Sequence, residues 1–303
     1  MLSSPRNRLT VRQKQFWEDV ETGILSISQT SIPPRINSFL KIAQWQTSPP
    51  LPSAPFHDPC EEYIPGLTAK PYWSSDDDIF PWIERLESES ESIINEFFTV
   101  LSSSSSLESS NLFSSDSAWQ NDVMGSGWSA IRLQRLGEWS TPTCSLFPKT
   151  YNILKSLNIP LAVRGVCFAK QSRGSGVAAH SDGRNFILTS HLGLRIPEGE
   201  GVWMEVGGVR KKWKEGKVVT IDTSFVHETK NEGKGDRYVL IVDFWHPELT
   251  EVERECLEFV YDLRNRFERG EVPVRELRKS YDDEREEEGK GIKGIWGALT
   301  GKK

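Results

Sequence analysis

The residues best able to do chemistry form a short series: His180-Ser181-Asp182, then His227, then Arg237. In an extended chain, residues i and i+2 project to the same side, so His180 and Asp182 offer an imidazole and a carboxylate to one point. His227, from a later β-rich run, would complete a set of two histidines and one carboxylate. Such a set leaves half of an Fe(II) coordination sphere open to substrate and dioxygen. The triplet by itself is a weak signal, because His-x-Asp arises often by chance. Arg237 strengthens it. If residues 231–235 form a hairpin turn, residue 229 opposes Arg237, and Arg237 becomes a diagonal neighbour of His227, about 7–8 Å away. A guanidinium there suits the far carboxylate of a dicarboxylate whose other end sits on the metal. The register is decisive, since a one-residue slip turns Arg237 to the other face.

The remaining histidines divide by context. His191 lies in FILTSHLGLRI, on a face with Ile187, Thr189, Gly193 and Arg195, while Leu188, Leu192 and Leu194 occupy the opposite, packing face. The first face is polar enough to line a wet cavity, and a satisfied structural histidine fits it equally well. His57, inside PPLPSAPFHDPC, is expected on the solvated surface. His246, between Trp245 and Pro247 at a strand end, is expected to be structural.

The elements that must position these groups are legible in part. After Pro160, short β-rich runs cover 163–169, 186–196, 202–206, 209–213, 217–221 and 238–245, with Gly207-Gly208 supplying hairpin chemistry. Many short strands separated by turns point to a sandwich or barrel. Apolar residues at helical spacing predict helices over Ile79–Leu101 and Cys144–Leu157. Thr250 with Glu253 is a capping box that opens a C-terminal helix. Residues 10–48 hold one helix-like patch followed by Pro33-Pro34. Prolines at 49–60 predict an extended strap on the surface. Residues 102–117 are a low-complexity serine segment, read as a disordered loop, and residues 271–303 form a highly charged tail.

Composition excludes several classes. The 303 residues carry 37 Lys and Arg against 43 Asp and Glu, a formal charge of −6, which lacks the basic footprint of a nucleic-acid binder. Cys60, Cys144, Cys167 and Cys256 contain no CxxC pair, so neither a thiolate zinc site nor a disulfide scaffold is expected. No secretory signal and no transmembrane run is read in the sequence, and a cytoplasmic location is the expectation, with a weak organelle-transit reading for residues 3–12.

The segments HSDGRNFILTSHLGLRIP and WKEGKVVTIDTSFVHETKNEGKGDRYVLIVDFWHPEL resemble the aspartyl/asparaginyl β-hydroxylase family of Fe(II)/2-oxoglutarate dioxygenases, with the match running from about residue 128 to 250. YIPGLTAKPYW and the helix after it are similar as well. The resemblance implies an α+β chain with a mainly β core, a double-stranded β-helix or jelly-roll flanked by N-terminal and C-terminal helices. It implies an N-terminal extension at 1–60, a dioxygenase domain at 61–270 with its β core about 160–248, and a tail beyond. The matching positions make His180 and His227 iron ligands, Arg237 the partner of the distal carboxylate of 2-oxoglutarate, and His191 a contact of the same cosubstrate. Three positions depart from the family's protein hydroxylases of the endoplasmic reticulum. Asp182 stands where they have glycine, and other branches carry an acid there, which makes it a third ligand in this reading. Thr189 stands where they have an arginine facing the cosubstrate, which makes it a candidate cosubstrate-binding residue here, and Ala169 stands where they have a serine. The function implied is hydroxylation of an Asp/Asn-type side chain of a protein or peptide, using Fe(II), 2-oxoglutarate and O2. Hydroxylation of a small molecule or lipid chain is the alternative. A non-catalytic jelly-roll that binds a partner through the proline-rich strap is the reading from a different class.

Overall fold

The computed structural model of the chain describes residues 9–51, 54–58, 60–74, 79–103, 113, 125 and 127–271. Most of the serine-rich segment 102–117 and all of the tail beyond residue 271 lie outside these residues.

Alternation of apolar residues organises two antiparallel sheets. The larger contains β1 (Tyr72–Trp73), β2 (Trp128–Arg135), β3 (Glu138–Trp139), β4 (Leu161–Gln171), β6 (Ile187–Arg195), β9 (Val218–Asp222) and β11 (Arg237–Trp245) in the order β1-β9-β6-β11-β4-β2-β3. The smaller is built from β5 (Ser175–His180), β7 (Val202–Val206), β8 (Val209–Lys211) and β10 (His227–Asn231) in the order β5-β10-β7-β8. From β4 to β11 the chain passes back and forth between the two sheets, with β7 and β8 together in the small one, and the molecule is a jelly-roll with flanking helices. Ala130, Cys167, Ala169 and Val239 of the large sheet pack in one apolar cluster with Val177, Val202, Met204 and Val206 of the small one. Their sequence neighbours Ile131, Val166, Phe168, Leu240 and Val242 point outward, as the period of two requires.

The outer face is covered by α3 (Trp82–Ser88), α4 (Ser90–Ser103), α5 (Thr141–Leu146) and α6 (Pro148–Ser156). Both helices expected from periodicity are therefore broken. In LESESES the serine side chains compete for backbone partners, and Ser88 Oγ donates to the Arg85 carbonyl where the first helix ends. Pro148 opens the second member of the other pair. It holds Phe147 at φ −124°, ψ 56°, out of the helical region, and leaves Leu146 exposed.

A second cluster seals one end of the large sheet. There α1 (Val11–Ser28), α2 (Pro34–Ala43) and α7 (Glu251–Glu268) pack around Phe186, Ile187 and Trp245. The Thr250–Glu253 capping box is present, and Glu253 also pairs with Arg35 of α2. Gly207 and Gly208 turn β7 into β8 with φ of 59° and 75°, the two left-handed positions of a type I′ hairpin. The four cysteines are free and buried. No helix among the described residues is long and apolar enough to cross a membrane.

Two expectations are corrected. Residues 231–235 do not close a hairpin. Instead β10 pairs with β5 and β7, while β11 pairs with β4 and β6 in the other sheet. Arg237 lies opposite Gln171 and is no ladder neighbour of His227. The segment around His57 is the second correction. Backbone bonds from Val226 to Phe56 (2.7 Å) and from Asp58 to Ser224 (3.1 Å) clip it to the β9–β10 turn, and His57 is buried.

Candidate metal centre

His180 ends β5, His227 begins β10, and the two residues are Cα partners in the small sheet. Their rings lie 4.2 Å apart, centroid to centroid. Asp182 follows β5 directly and is fixed by its backbone N–H, which donates to the Thr223 carbonyl at 2.9 Å. One donor atom from each of His180, Asp182 and His227 falls within 4.8 Å of the others, the set read from the sequence. His180 Nε2 and Asp182 Oδ1 are 3.7 Å apart. Two donors bound to one ion at about 2.1 Å each can be at most about 4.2 Å apart, so this pair fits a shared ion.

The tautomers follow from the backbone. His180 Nδ1 is 2.7 Å from the Ala178 carbonyl, and His227 Nδ1 is 2.9 Å from that of Phe225. A carbonyl can only accept, so both Nδ1 atoms carry a proton, and in the neutral form of each ring Nε2 is the nitrogen with a lone pair for a metal. Burial lowers the His227 pKa to about 4 despite the attraction of Asp182, so its ring is neutral near pH 7. Burial opposes ionisation of Asp182, but the Arg164 guanidinium outweighs it and holds the carboxyl well below the usual range.

Arg237 is only 2% exposed. Its guanidinium carbon sits 3.9 Å from the centroid of the Trp213 ring. Burial lowers its pKa to about 9, which leaves it charged at neutral pH. Among the described residues its Nε and Nη1 have no hydrogen-bond partner. A buried, unpaired cation is costly, and a carboxylate is the natural group to offset it. His191 meets the edge of Trp213, whose indole N–H donates to His191 Nδ1 at 3.2 Å. Burial, with Arg237 nearby, lowers the His191 pKa to about 3, so the ring is neutral and Nε2 bears its proton. Ala169 lines the same apolar interior as Val239.

Thr189 has a different setting. Its hydroxyl donates to Asp243 Oδ1 at 2.5 Å and accepts from Arg164 Nη2 at 2.9 Å. His246 is structural as expected, with Nε2 on the Thr68 carbonyl and Nδ1 accepting the Glu248 N–H.

Several residues of the centre escape a reading by periodicity. Arg164 and Asp243 are charges within apolar runs, LAVRGV and LIVDFW, and that mismatch is the signal that could have found them. Trp213 carries no such mark. Asp222 orders the turn before His227: its Oδ1 accepts from Ser224 N at 2.9 Å and from Ser224 Oγ at 2.6 Å. Burial raises its pKa to about 7. Since the Ser224 proton is given to Asp222, His57 Nε2 is the donor in its 3.0 Å contact with Ser224 Oγ.

Fold and site together define a jelly-roll with a three-donor candidate metal cluster and a buried cation. The chain belongs to the Aspartyl/Asparaginyl beta-hydroxylase family, which it matches over residues 87–247. It is 31% identical over 206 residues to Aspartate beta-hydroxylase domain-containing protein 2 of Homo sapiens, covering 66% of this chain and 53% of that protein. It is 35% identical over 132 residues to Aspartyl/asparaginyl beta-hydroxylase of Homo sapiens, covering 43% of this chain and 17% of that protein. The chain thus spans about half the length, or less, of these curated relatives. Among solved structures it is similar to a Trichoplax adhaerens prolyl hydroxylase in complex with a hypoxia inducible factor peptide fragment, with TM-score 0.37, 15% identity, and coverage of 57% of this chain and 94% of that one. A 2OG-Fe(II) oxygenase family oxidoreductase from Burkholderia pseudomallei gives TM-score 0.37, 10% identity, and coverage of 62% and 99%.

Proposed function

We propose that this chain is an Fe(II)- and 2-oxoglutarate-dependent dioxygenase that hydroxylates an Asp/Asn-type side chain of a protein or peptide, with succinate and CO2 as coproducts. The observation that carries the reading is Arg237: a buried guanidinium that has no carboxylate partner among the described residues, in the same interior as two histidines and an aspartate with converging donor atoms. Bound Fe(II), with 2-oxoglutarate and O2, supplies the oxidation of an unactivated C–H bond.

The protein's own contributions are positional. His180, Asp182 and His227 hold the metal, and the Ala178 and Phe225 carbonyls keep the two imidazoles turned with Nε2 as the ligating atom. Arg237 pairs with the distal carboxylate of 2-oxoglutarate, and the Trp213 face holds that guanidinium in place. Neutral His191 offers Nε2–H as a donor to the same cosubstrate. The apolar walls of the interior exclude water from the bound dicarboxylate, which strengthens each of these polar contacts.

A small molecule or lipid chain is the second reading. It is favoured by Asp182 and Thr189, which depart from the protein hydroxylases of the family. Incubating the iron-loaded chain with 2-oxoglutarate, air and pools of Asp/Asn-containing peptides tests the proposal by mass spectrometry. Gain of one oxygen on an Asp or Asn residue supports it. Oxygen gain only on a lipid or small-molecule pool transfers the assignment to the second reading.

A further inference from the structure

The alternation of β4 places Arg164 on the outer, packing face with Val166 and Phe168. The structure puts it inside. Gly165 has φ 73°, and around it the ladders with both neighbouring strands slip: between Arg132 and Gln134 on β2, opposite Val166 and Cys167, and between Val242 and Phe244 on β11. A Cβ at Gly165 would sit 1.9 Å from Gln134 Oε1 and 2.2 Å from the Gln134 carbonyl oxygen, so only glycine fits this irregularity. Such bulges re-aim a side chain, and here the redirected one is the arginine before the glycine.

Its guanidinium makes four contacts. Nη1 donates to Asp182 Oδ2, while Nη2 contacts Thr189 Oγ1 at 2.9 Å, Asp243 Oδ1 at 3.1 Å and Thr223 Oγ1 at 3.3 Å. Thr189 and Asp243 are Cα partners on β6 and β11, and their side chains are bonded to each other, so the far side of the fork is anchored on two strands. Asp182 Oδ2 is thereby taken, and Oδ1 is the oxygen that faces His180 Nε2. Without Arg164, the Asp182 carboxylate could rotate to present both oxygens or turn away from the histidines.

We propose that Arg164 is a positioning residue that makes Asp182 a one-oxygen metal ligand. Thr189 serves this network as the brace of the arginine, which accounts for a threonine at that position. The inference rests on the metal reading of His180, Asp182 and His227.

The test is titration of the full chain with Co(II), reading the dissociation constant and the visible spectrum for wild type, R164M, R164K, D182G and the R164M/D182G double variant. Thermal unfolding of each metal-free variant is measured alongside. An outer-shell partner of a ligand typically contributes 10–100-fold in metal affinity. R164M is expected to weaken Co(II) by about that factor and to shift the spectrum to that of D182G. In the D182G background, R164M adds nothing, because the two act as a unit. R164K, which keeps the charge without the fork, falls between, and it carries the comparison if R164M does not fold. Equal weakening by R164M in both backgrounds makes Arg164 merely structural and overturns the proposal. Unchanged affinity in D182G also overturns it, yet leaves a two-histidine metal site standing. Wild type that binds no Co(II) removes the metal reading itself.

Discussion

The Arg237 guanidinium carbon lies over Trp213, 3.9 Å from the ring centroid, with Nε and Nη1 unpartnered among the described residues. A buried charge held this way is stabilised by the aromatic face by about 0.5–2 kcal/mol, which falls short of its desolvation cost of several kcal/mol. The ligand-free chain therefore carries strain at this position that a bound dicarboxylate relieves. Arg237→Met is expected to raise the melting temperature of the ligand-free protein while abolishing 2-oxoglutarate binding and leaving metal content intact. Calorimetry with elemental analysis checks this. Loss of metal in the variant would remove Arg237 from the cosubstrate end of the site.

Trp213 bridges Arg237 and His191, and its two contacts are separable. Trp213→Phe keeps an aromatic face under Arg237 and deletes the donor to His191 Nδ1. Losing that hydrogen bond is expected to weaken 2-oxoglutarate by about fivefold, equivalent to about 1 kcal/mol. Trp213→Ala removes the face too and should cost tenfold or more, by roughly 0.5–1.5 kcal/mol of further loss. Nitrogen NMR of His191 supplies the independent readout: in wild type the proton sits on Nε2, and in Trp213→Phe the two tautomers should mix.

The ligand-bearing loop is clamped from behind. Glu62 accepts from Arg264 Nη1 at 2.6 Å, from Arg184 Nε at 2.9 Å and from the Tyr261 hydroxyl, which joins α7 to the segment just after Asp182. Burial opposes its ionisation, but Arg264 and Arg184 overcome this and lower the Glu62 pKa to about 2. A carboxylate with a depressed folded pKa contributes stability that is present above its unfolded value and lost as pH falls through the folded one. Urea unfolding should therefore show Glu62→Gln destabilised by about 3–5 kcal/mol at neutral pH, since buried Arg264 and half-buried Arg184 lose their counter-charge. The gap to wild type should narrow between about pH 4.5 and 2. A gap that stays constant with pH would contradict the ionised cluster.

The strap over the β9–β10 turn should respond to pH in the opposite sense from an acid-stabilised contact. His57 stacks on Phe225 with ring centroids 4.6 Å apart, and burial lowers its pKa, partly countered by Asp58. Folding there favours the neutral ring, so the contribution is present above its ordinary value of about 6.5 and lost as pH falls below it. Hydrogen exchange at the Asp58 and Val226 amides, corrected for intrinsic rate, is expected to speed up on acidification. In His57→Gln that dependence should vanish. An unchanged dependence in the variant would move the titration to another group.

How much of this was readable beforehand follows the physics of each segment. Strands β4, β6, β7, β9 and β11 announce themselves because one face is apolar. By contrast, β5 and β10, SGVAAH and HETKN, have no apolar alternation, and they are strands because neighbours supply their hydrogen bonds. The His180, Asp182 and His227 cluster was legible as a set of residue types. The path that brings Arg237 into the same interior was not, because 231–235 links facing sheets, whereas the reading assumed adjacent strands. Arg164 was hidden by the irregularity at Gly165, which reverses the expected face. His57 was hidden because a proline-rich segment reads as exposed until its backbone bonds to Ser224 and Val226 are seen.

The most direct test of the central claim is anaerobic titration of the Fe(II)-loaded chain with 2-oxoglutarate, followed by admission of air. A visible metal-to-ligand absorption band that saturates at one equivalent is expected, then succinate formed slowly in the absence of substrate, with both lost in Arg237→Met. Protein that holds iron yet gives neither band nor succinate would contradict that claim.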